Sequence, residues 1–162
     1  MNARLGGNTS ADVTMTGDEL LRRPVRVHGI HVGQPVDLLL HPSEPQALGL
    51  DVLCGDDRHR FLPFSAAEVT ERHVEAASPL VLLDLREGSF YRREARSLNG
   101  LRGTPLRDRS SLEDVVLAPD WRITGLVLDD DERVSLDGIV LPPRTERPRA
   151  RWLPRRRRRK RR

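Results

Sequence analysis

The carboxy-terminal residues carry the strongest chemical signal in this chain. Positions 155–162 read RRRRRKRR, eight consecutive cations that repel one another unless an anion neutralises them. RNA or DNA phosphates and the carboxylates of an acidic protein surface are such anions. Two other interpretations stay open: a solvated solubility tail, and drift in an Arg-favouring genome, since 27 of the 28 basic residues are Arg. We predict polyanion contacts through Arg151, Arg155, Arg156, Arg157, Arg158, Arg159, Lys160, Arg161 and Arg162.

Two further clusters could in principle bind a metal ion. Positions 129–132 read DDDE and offer only oxygen ligands, which suits a hard cation, but the run lacks the alternating spacing and the glycine of a calcium loop. We predict a solvated hairpin turn there, able to pair transiently with the basic tail. Histidines stand at positions 28, 31, 41, 59 and 73, and no second Cys or His pair completes a tetrahedral zinc site.

Nucleophilic chemistry has one candidate pair, Cys54 and His59, which flank a predicted hairpin. A reactive thiolate needs an activating environment as well as proximity, so we predict a structural, half-buried cysteine. The sequence contains no glycine-rich phosphate loop, no serine elbow and no carboxylate pair on a rigid scaffold. We therefore expect a protein that is not an enzyme and that uses no cofactor and no metal.

Charge is distributed very unevenly along the 162 residues. The segment 144–162, called the Arg-rich tail below, holds 12 basic residues and one acidic residue, about +11. Residues 1–143 hold 16 basic and 23 acidic residues, about −7. An acidic body with a basic tail predicts a polyanion partner or self-association. Trp152 lies within the tail, and we favour packing on the body over stacking on a nucleic-acid base.

Composition predicts a cytoplasmic protein without an integral membrane segment. The longest apolar run, at 79–83, is too short to span a bilayer, and the first 17 residues lack the apolar segment of a signal peptide. With a single cysteine, no intrachain disulfide can form.

The elements that must position these residues are short strands arranged in two similar stretches. Residues 37–53 read DLLLHPSEPQALGLDVL, and residues 114–128 read DVVLAPDWRITGLVL. Both have an Asp, three aliphatic residues, a proline and then Gly-Leu with further aliphatic residues. We predict an internal duplication, a mainly β fold of two small barrels, and a helix within 87–98 that joins them. The predicted segments are a disordered 1–15, a first repeat at 16–68, a strand and linker helix at 69–100, a second repeat at 101–143 and a disordered tail at 144–162.

Several of these residues resemble the PRC-barrel domain. The resemblance covers residues 20–141 and is carried by 23–25 (RPV), 32–40 (VGQPVDLLL), 49–52 (GLDV) and 60–64 (RFLPF). The segment 90–98 (FYRREARSL) is similar to linkers that join two such barrels in actinobacterial proteins. The second stretch has no glycine before Asp114, so we expect its barrel to be distorted.

The resemblance implies a docking function and carries no catalytic residue over to this chain. Distant relatives include a domain of a ribosome maturation factor and the cytoplasmic part of the photosynthetic reaction-centre H subunit. We therefore expect an adaptor that docks on a protein or ribonucleoprotein, with the Arg-rich tail adding nonspecific affinity for nucleic acid. The alternative is a self-associating structural protein in which basic tails reach the acidic bodies of neighbouring copies. A homo-oligomer is compatible with both.

Overall fold

The structure, a computed structural model, describes residues 14–85, 90–106, 110–137 and 140–141. Residues 1–13 of the N-terminus predicted to be disordered and the Arg-rich tail lie outside these residues, whereas Met15, included in that disordered segment, is in a strand and pairs with Leu117. The predicted mainly β class is confirmed, and the sheets curl as half-barrels. The strands are β1 (Met15–Thr16), β2 (Val25–Val27), β3 (Ile30–Leu40), β4 (Ala47–Cys54), β5 (His59–Pro63), β6 (Ala67–Val69), β7 (Val74–Ala76), β8 (Leu83–Asp84), β9 (Arg96–Ser97), β10 (Leu112–Leu117), β11 (Ile123–Leu128) and β12 (Arg133–Ser135). The helices are α1 (Gly17–Leu21), α2 (Phe90–Glu94) and α3 (Leu98–Leu101), with 3-10 turns at Phe64–Ala66 and Pro79–Val81.

The larger sheet is built around the hairpin of β3 and β4. Its strand order is β6-β7-β2-β3-β4-β5-β8, and β9 pairs with the far end of β3. All pairs are antiparallel except β2 with β7. In the turn between β2 and β3, His28 and Gly29 both have positive φ, at 50° and 78°.

The smaller sheet is built around the hairpin of β10 and β11, in the order β1-β10-β11-β12. Its first strand comes from the start of the chain, because Met15 and Thr16 pair with Leu117 and Val116. In the same way, Arg96 and Ser97, which precede the second hairpin in sequence, pair with β3 of the first hairpin. The short strand and helix that precede each hairpin in the sequence therefore lie on the other hairpin: β1 and α1 on the second, and β9 and α3 on the first.

Both hairpins bury their apolar side chains in one shared core. Alternate residues of β4 (Leu50, Val52 and Cys54) point into it, as a period of two residues requires in a strand. The second hairpin contributes Val115, Leu117 and Leu126 to the same cluster, and the short helices contribute Leu20, Leu98 and Leu101. Because these residues come from both stretches, the described residues share one hydrophobic core.

A second, smaller cluster covers the opposite face of the first hairpin. It contains Leu39, Phe61, Leu85 and Ala95, with Tyr91 of α2 stacked on Phe61 at a ring-centroid distance of 4.0 Å. The central strand β3 is thus covered on both faces. The counterpart of Leu39 in the second hairpin, Val116, is also buried, at 9% exposure.

Three local sequence interpretations differ from the structure. The predicted helix at 87–98 is replaced over its described residues by α2, β9 and α3, because Arg96 and Ser97 pair with β3 and Ser97 then caps α3. The apolar run from Leu80 to Leu85 is not one strand: Leu80 is 88% exposed and only β8 is extended and paired. Residues 65–68 (SAAE) have the form of a capping box, which predicts a helical turn from residue 65. The structure has a 3-10 turn at Phe64–Ala66 instead, and β6 follows because residues 67–69 pair with β7.

Among the described residues, no helix has the length and apolar character needed to cross a membrane.

Candidate functional site

The two central hairpins pair with the same register around their leading aspartates. Leu39 lies opposite Gly49 in the first hairpin, and Val116 lies opposite Gly125 in the second. In both, the register shifts immediately before the aspartate, between Pro35 and Asp37 and between Leu112 and Asp114. A bulge of this kind changes the direction of the next side chain. Each bulge places an aspartate where it meets a helix from the other stretch.

Asp37 binds the start of helix α3. Its Oδ1 accepts hydrogen bonds from the backbone N–H groups of Leu38 and Asn99, at 2.8 and 3.0 Å, and Ser97 Oγ donates to its Oδ2. The N–H groups in the first turn of a helix lack intrahelical partners, so a carboxylate at this position satisfies them.

Asp114 makes the corresponding contacts with helix α1. Its Oδ1 accepts from the N–H of Val115 and its Oδ2 from the N–H of Asp18, both at 2.8 Å. Helix α1 also has a capping box, in which Thr16 Oγ1 accepts from Glu19 N and the Glu19 carboxylate accepts from Thr16 N. Gly17 permits this close approach, because a Cβ there would lie 2.4 Å from Asp114 Oδ1.

Burial raises the pKa of both aspartates above 3.8, more than their hydrogen bonds lower it. A buried carboxyl group with a raised pKa is a frequent feature of catalytic sites. Here, however, both oxygens of each group accept hydrogen bonds from the protein itself. We therefore assign Asp37 to holding α3 on the first hairpin and Asp114 to holding α1 on the second.

The loops of the two hairpins meet and exchange backbone hydrogen bonds. Ala47 N donates to Trp121 O at 2.9 Å, and Ile123 N donates to Pro45 O at 2.8 Å. A β-bridge between Gln46 and Arg122 lies between these two bonds. Pro45 and Trp121 therefore occupy corresponding positions on either side of the junction, although their side chains differ greatly in size.

On one side of this junction, the Trp121 side chain stacks on Phe64, with ring centroids 3.9 Å apart and planes 8° from parallel. Trp121 has φ of 66°, which is unusual for a bulky residue, and this stacking helps to hold it there.

On the other side lies an open groove of about 670 Å³, called the Pro45 groove below. Its apolar lining comes from Pro45, Ile123, Leu136, Val140 and Leu141. Ser135 pairs with Gly125 in the second hairpin, just as Pro63 pairs with Gly49 in the first. Leu136 and Phe64 are the residues that follow them, so they occupy equivalent positions. Pro45 and Leu136 thus correspond to Trp121 and Phe64, and the smaller pair leaves the groove open.

The polar lining of the groove includes two arginines whose guanidinium groups already have hydrogen-bond partners in the protein. Arg96 is 2% exposed, and its guanidinium donates to the carbonyl oxygens of His41 at 2.7 Å and Glu44 at 3.0 Å. Burial lowers the pKa of Arg96. Arg122 Nε donates to Asp120 Oδ2 at 2.5 Å. The groove is therefore better suited to a largely apolar group than to a free anion.

The structure places the other predicted site residues as follows. All nine predicted polyanion contacts lie in the Arg-rich tail, outside the described residues. The turn predicted at 129–132 connects β11 and β12, and Asp130 Oδ1 accepts from Glu132 N within it at 3.1 Å. Cys54 is buried, at 7% exposure, which is deeper than the half-buried position we predicted.

Three of the histidines, His41, His59 and His73, contact local partners. His59 Nδ1 lies 2.8 Å from Asp51 Oδ1, and His41 Nδ1 accepts from the backbone of Ser43 and Glu44. His73 contacts Thr70 and Glu75. Within the described ranges, no three His, Cys, Asp or Glu side chains converge as metal ligands would.

Sequence reasoning did not identify the cross-clamping aspartates or the Pro45 groove. The repeated Asp before three aliphatic residues was visible, but its helix partners lie 62 and 96 residues away. The signal for the groove was the difference between Pro45 and Trp121 at aligned positions of the two stretches.

No protein-family model matches the chain, and no curated protein matches it.

Proposed function

We propose that this chain is a non-enzymatic docking protein of the PRC-barrel type, formed by an internal duplication, with an Arg-rich tail that binds polyanions. Support for the duplication comes from the equal registers, the paired bulges and the two clamping aspartates. The turns after β4 and β11 are also alike: Asp57 and Asp131 have φ of 60° and 64°, and each N–H bonds the carbonyl three residues before it. Its partner would be a protein or a ribonucleoprotein in the cytoplasm.

The charge separation between body and tail carries the polyanion assignment. Residues 1–143 have a net charge of about −7, so a phosphate backbone is repelled by the body as a whole. Several arginines of the body are moreover engaged with carboxylates: Arg60 with Asp56 at 2.6 Å, Arg102 with Asp18, and Arg122 with Asp120. The tail, at about +11, is the part of the chain with cations in excess.

A salt titration of RNA binding tests the assignment. Each neutralised phosphate contributes a slope of about −0.7 to −0.9 in log K against log salt, so partial engagement of the tail gives a total near −4 to −7. Little sequence preference is expected, because a run of arginines without a rigid element does not read base edges. Removal of 144–162 should abolish binding and leave the body folded, as far-UV circular dichroism can verify.

A matched control replaces each arginine of 155–162 by lysine. This variant keeps the charge and should keep most of the salt slope, whereas replacement by glutamine should remove it. Undiminished RNA binding by the truncated protein would move the site onto the body and contradict the proposal.

The second candidate function is self-association through the same charges. It is favoured by the exposed acidic turn at 129–132, a surface that the basic tail of a neighbouring copy could meet. Oligomers that dissociate with salt and contain no nucleic acid would support it. Copurifying nucleic acid, seen as a high ratio of absorbance at 260 to 280 nm, would support the adaptor function.

A further inference from the structure

The Pro45 groove is an unfilled counterpart of a space that holds an indole on the other side of the hairpin junction. There, Trp121 covers Phe64 with parallel rings. The groove has Pro45 in place of the tryptophan and Leu136 in place of the phenylalanine, and Val140 at its edge is 87% exposed. Concave sites with a mainly apolar lining are where proteins usually bind an apolar group.

We propose that the indole of Trp152, from the Arg-rich tail of the same chain, binds in the Pro45 groove. The chain has two tryptophans, and Trp121 already occupies the corresponding space. Leu141, the last described residue, itself lines the groove. Trp152 follows 11 residues later, and a chain of that length extends up to about 36–40 Å, so it reaches any part of the groove.

The residues around Trp152 suit this site. Leu153 and Pro154 continue the apolar surface, and Arg151 precedes it. Asp137 lines the groove and offers that arginine a carboxylate, while Arg96 and Arg122 are engaged with their own partners. Docking of Trp152 would fix the start of the basic run 155–162 three residues from the groove. The inference does not depend on what the Arg-rich tail binds.

Tryptophan fluorescence of the full chain tests the proposal. In Trp121→Phe, Trp152 is the only indole, and its emission should lie at shorter wavelength and be quenched less by acrylamide than in the same variant unfolded by denaturant. Adding Val140→Arg should remove both differences, because it places a cation at the groove edge facing the arginines of the tail. Val140 is 87% exposed, so this change should leave the fold intact, as far-UV circular dichroism can verify.

The matched control is Ile30→Arg in the same Trp121→Phe background. Ile30 is an exposed aliphatic residue, at 70%, outside the groove lining, so its change should leave the emission and the quenching unaltered. Equal emission in the native and unfolded forms, or equal effects of Val140→Arg and Ile30→Arg, would overturn the proposal. The proposal would also be overturned if the short-wavelength emission of Trp152 and its protection from acrylamide disappeared on dilution, since the occupant of the groove would then be the tail of a second copy.

Discussion

Replacing Asp114 by alanine should loosen helix α1 from the second hairpin. The substitution removes both acceptors, Oδ1 and Oδ2, and leaves the N–H groups of Val115 and Asp18 without the bonds they make at 2.8 Å. Asp114 is 4% exposed, so little water is available to replace them. The helix would then keep only its own capping box at this end.

The expected loss of stability follows from these two bonds. A hydrogen bond to a charged group contributes about 1.5–3 kcal/mol net. Part of this is offset, because the ionised form of Asp114 is itself disfavoured by burial, as its raised pKa indicates. We expect a net loss of about 2–4 kcal/mol for Asp114→Ala, and about half of that for Asp114→Asn, since one amide oxygen still accepts one bond.

The pH dependence of this effect has a definite sign. Because the folded-state pKa of Asp114 lies above 3.8, the carboxyl group stabilises the fold most below that pH, and this contribution is lost as the pH rises through the folded-state pKa. The measured cost of Asp114→Asn should therefore be largest in acid and smaller at neutral pH.

Chemical denaturation at several pH values, followed by circular dichroism, measures these losses. Asp37→Ala should behave like Asp114→Ala, since Asp37 binds the start of α3 in the same manner. The control is Asp130→Ala, an exposed aspartate that accepts one bond within its own turn, with an expected loss below about 1 kcal/mol. If the free energy of unfolding of Asp114→Ala lies within about 0.5 kcal/mol of the parent value, the contacts of Asp114 with α1 do not stabilise the fold.

Three other predictions concern the hairpins and their shared core. Gly49→Ala should destabilise more than Gly125→Ala in thermal melts, because the added Cβ would lie 2.2 Å from a neighbouring backbone carbonyl oxygen in the first case and 2.9 Å in the second. Leu39→Ala should cost about 2–4 kcal/mol of unfolding free energy and Val116→Ala less, since less side chain is removed; melts of both variants equal to the parent would refute the burial of these positions. Limited proteolysis should leave residues 15–141 as one resistant unit because β1 pairs with the second hairpin and both stretches share a core, and early release of two independently stable pieces would contradict this.

The hairpins were predictable because their sequence signals are local. The aspartate, the aliphatic triplet and the Gly-Leu of each stretch lie in paired strands with the same register. The acidic turn at 129–132 was predicted from residue types alone. The capping box of α1, with Thr16 at the N-cap and Glu19 three residues later, is likewise a local pattern.

The exchange of short elements was not predictable, for a physical reason. Strands β1 and β9 have two residues each, too few to show a period, and their pairing partners are about 100 and 57 residues away. The aspartate clamps are likewise contacts between distant parts of the chain. Such contacts depend on the bulges before Asp37 and Asp114, and no residue type marks a bulge reliably.

The two hairpins share their aspartate contacts but differ in their loops. The shared clamps join α1 to the second hairpin and α3 to the first, so each stretch is completed by an element of the other. The free energy of unfolding therefore depends on contacts between distant parts of the chain. The difference lies in the loops, where Trp121 fills its side of the junction and Pro45 leaves its side open. Filling that space with a second indole would bury apolar surface without breaking the hydrogen bonds of either aspartate. The Pro45 groove can therefore bind or release an apolar group while the rest of the fold stays unchanged.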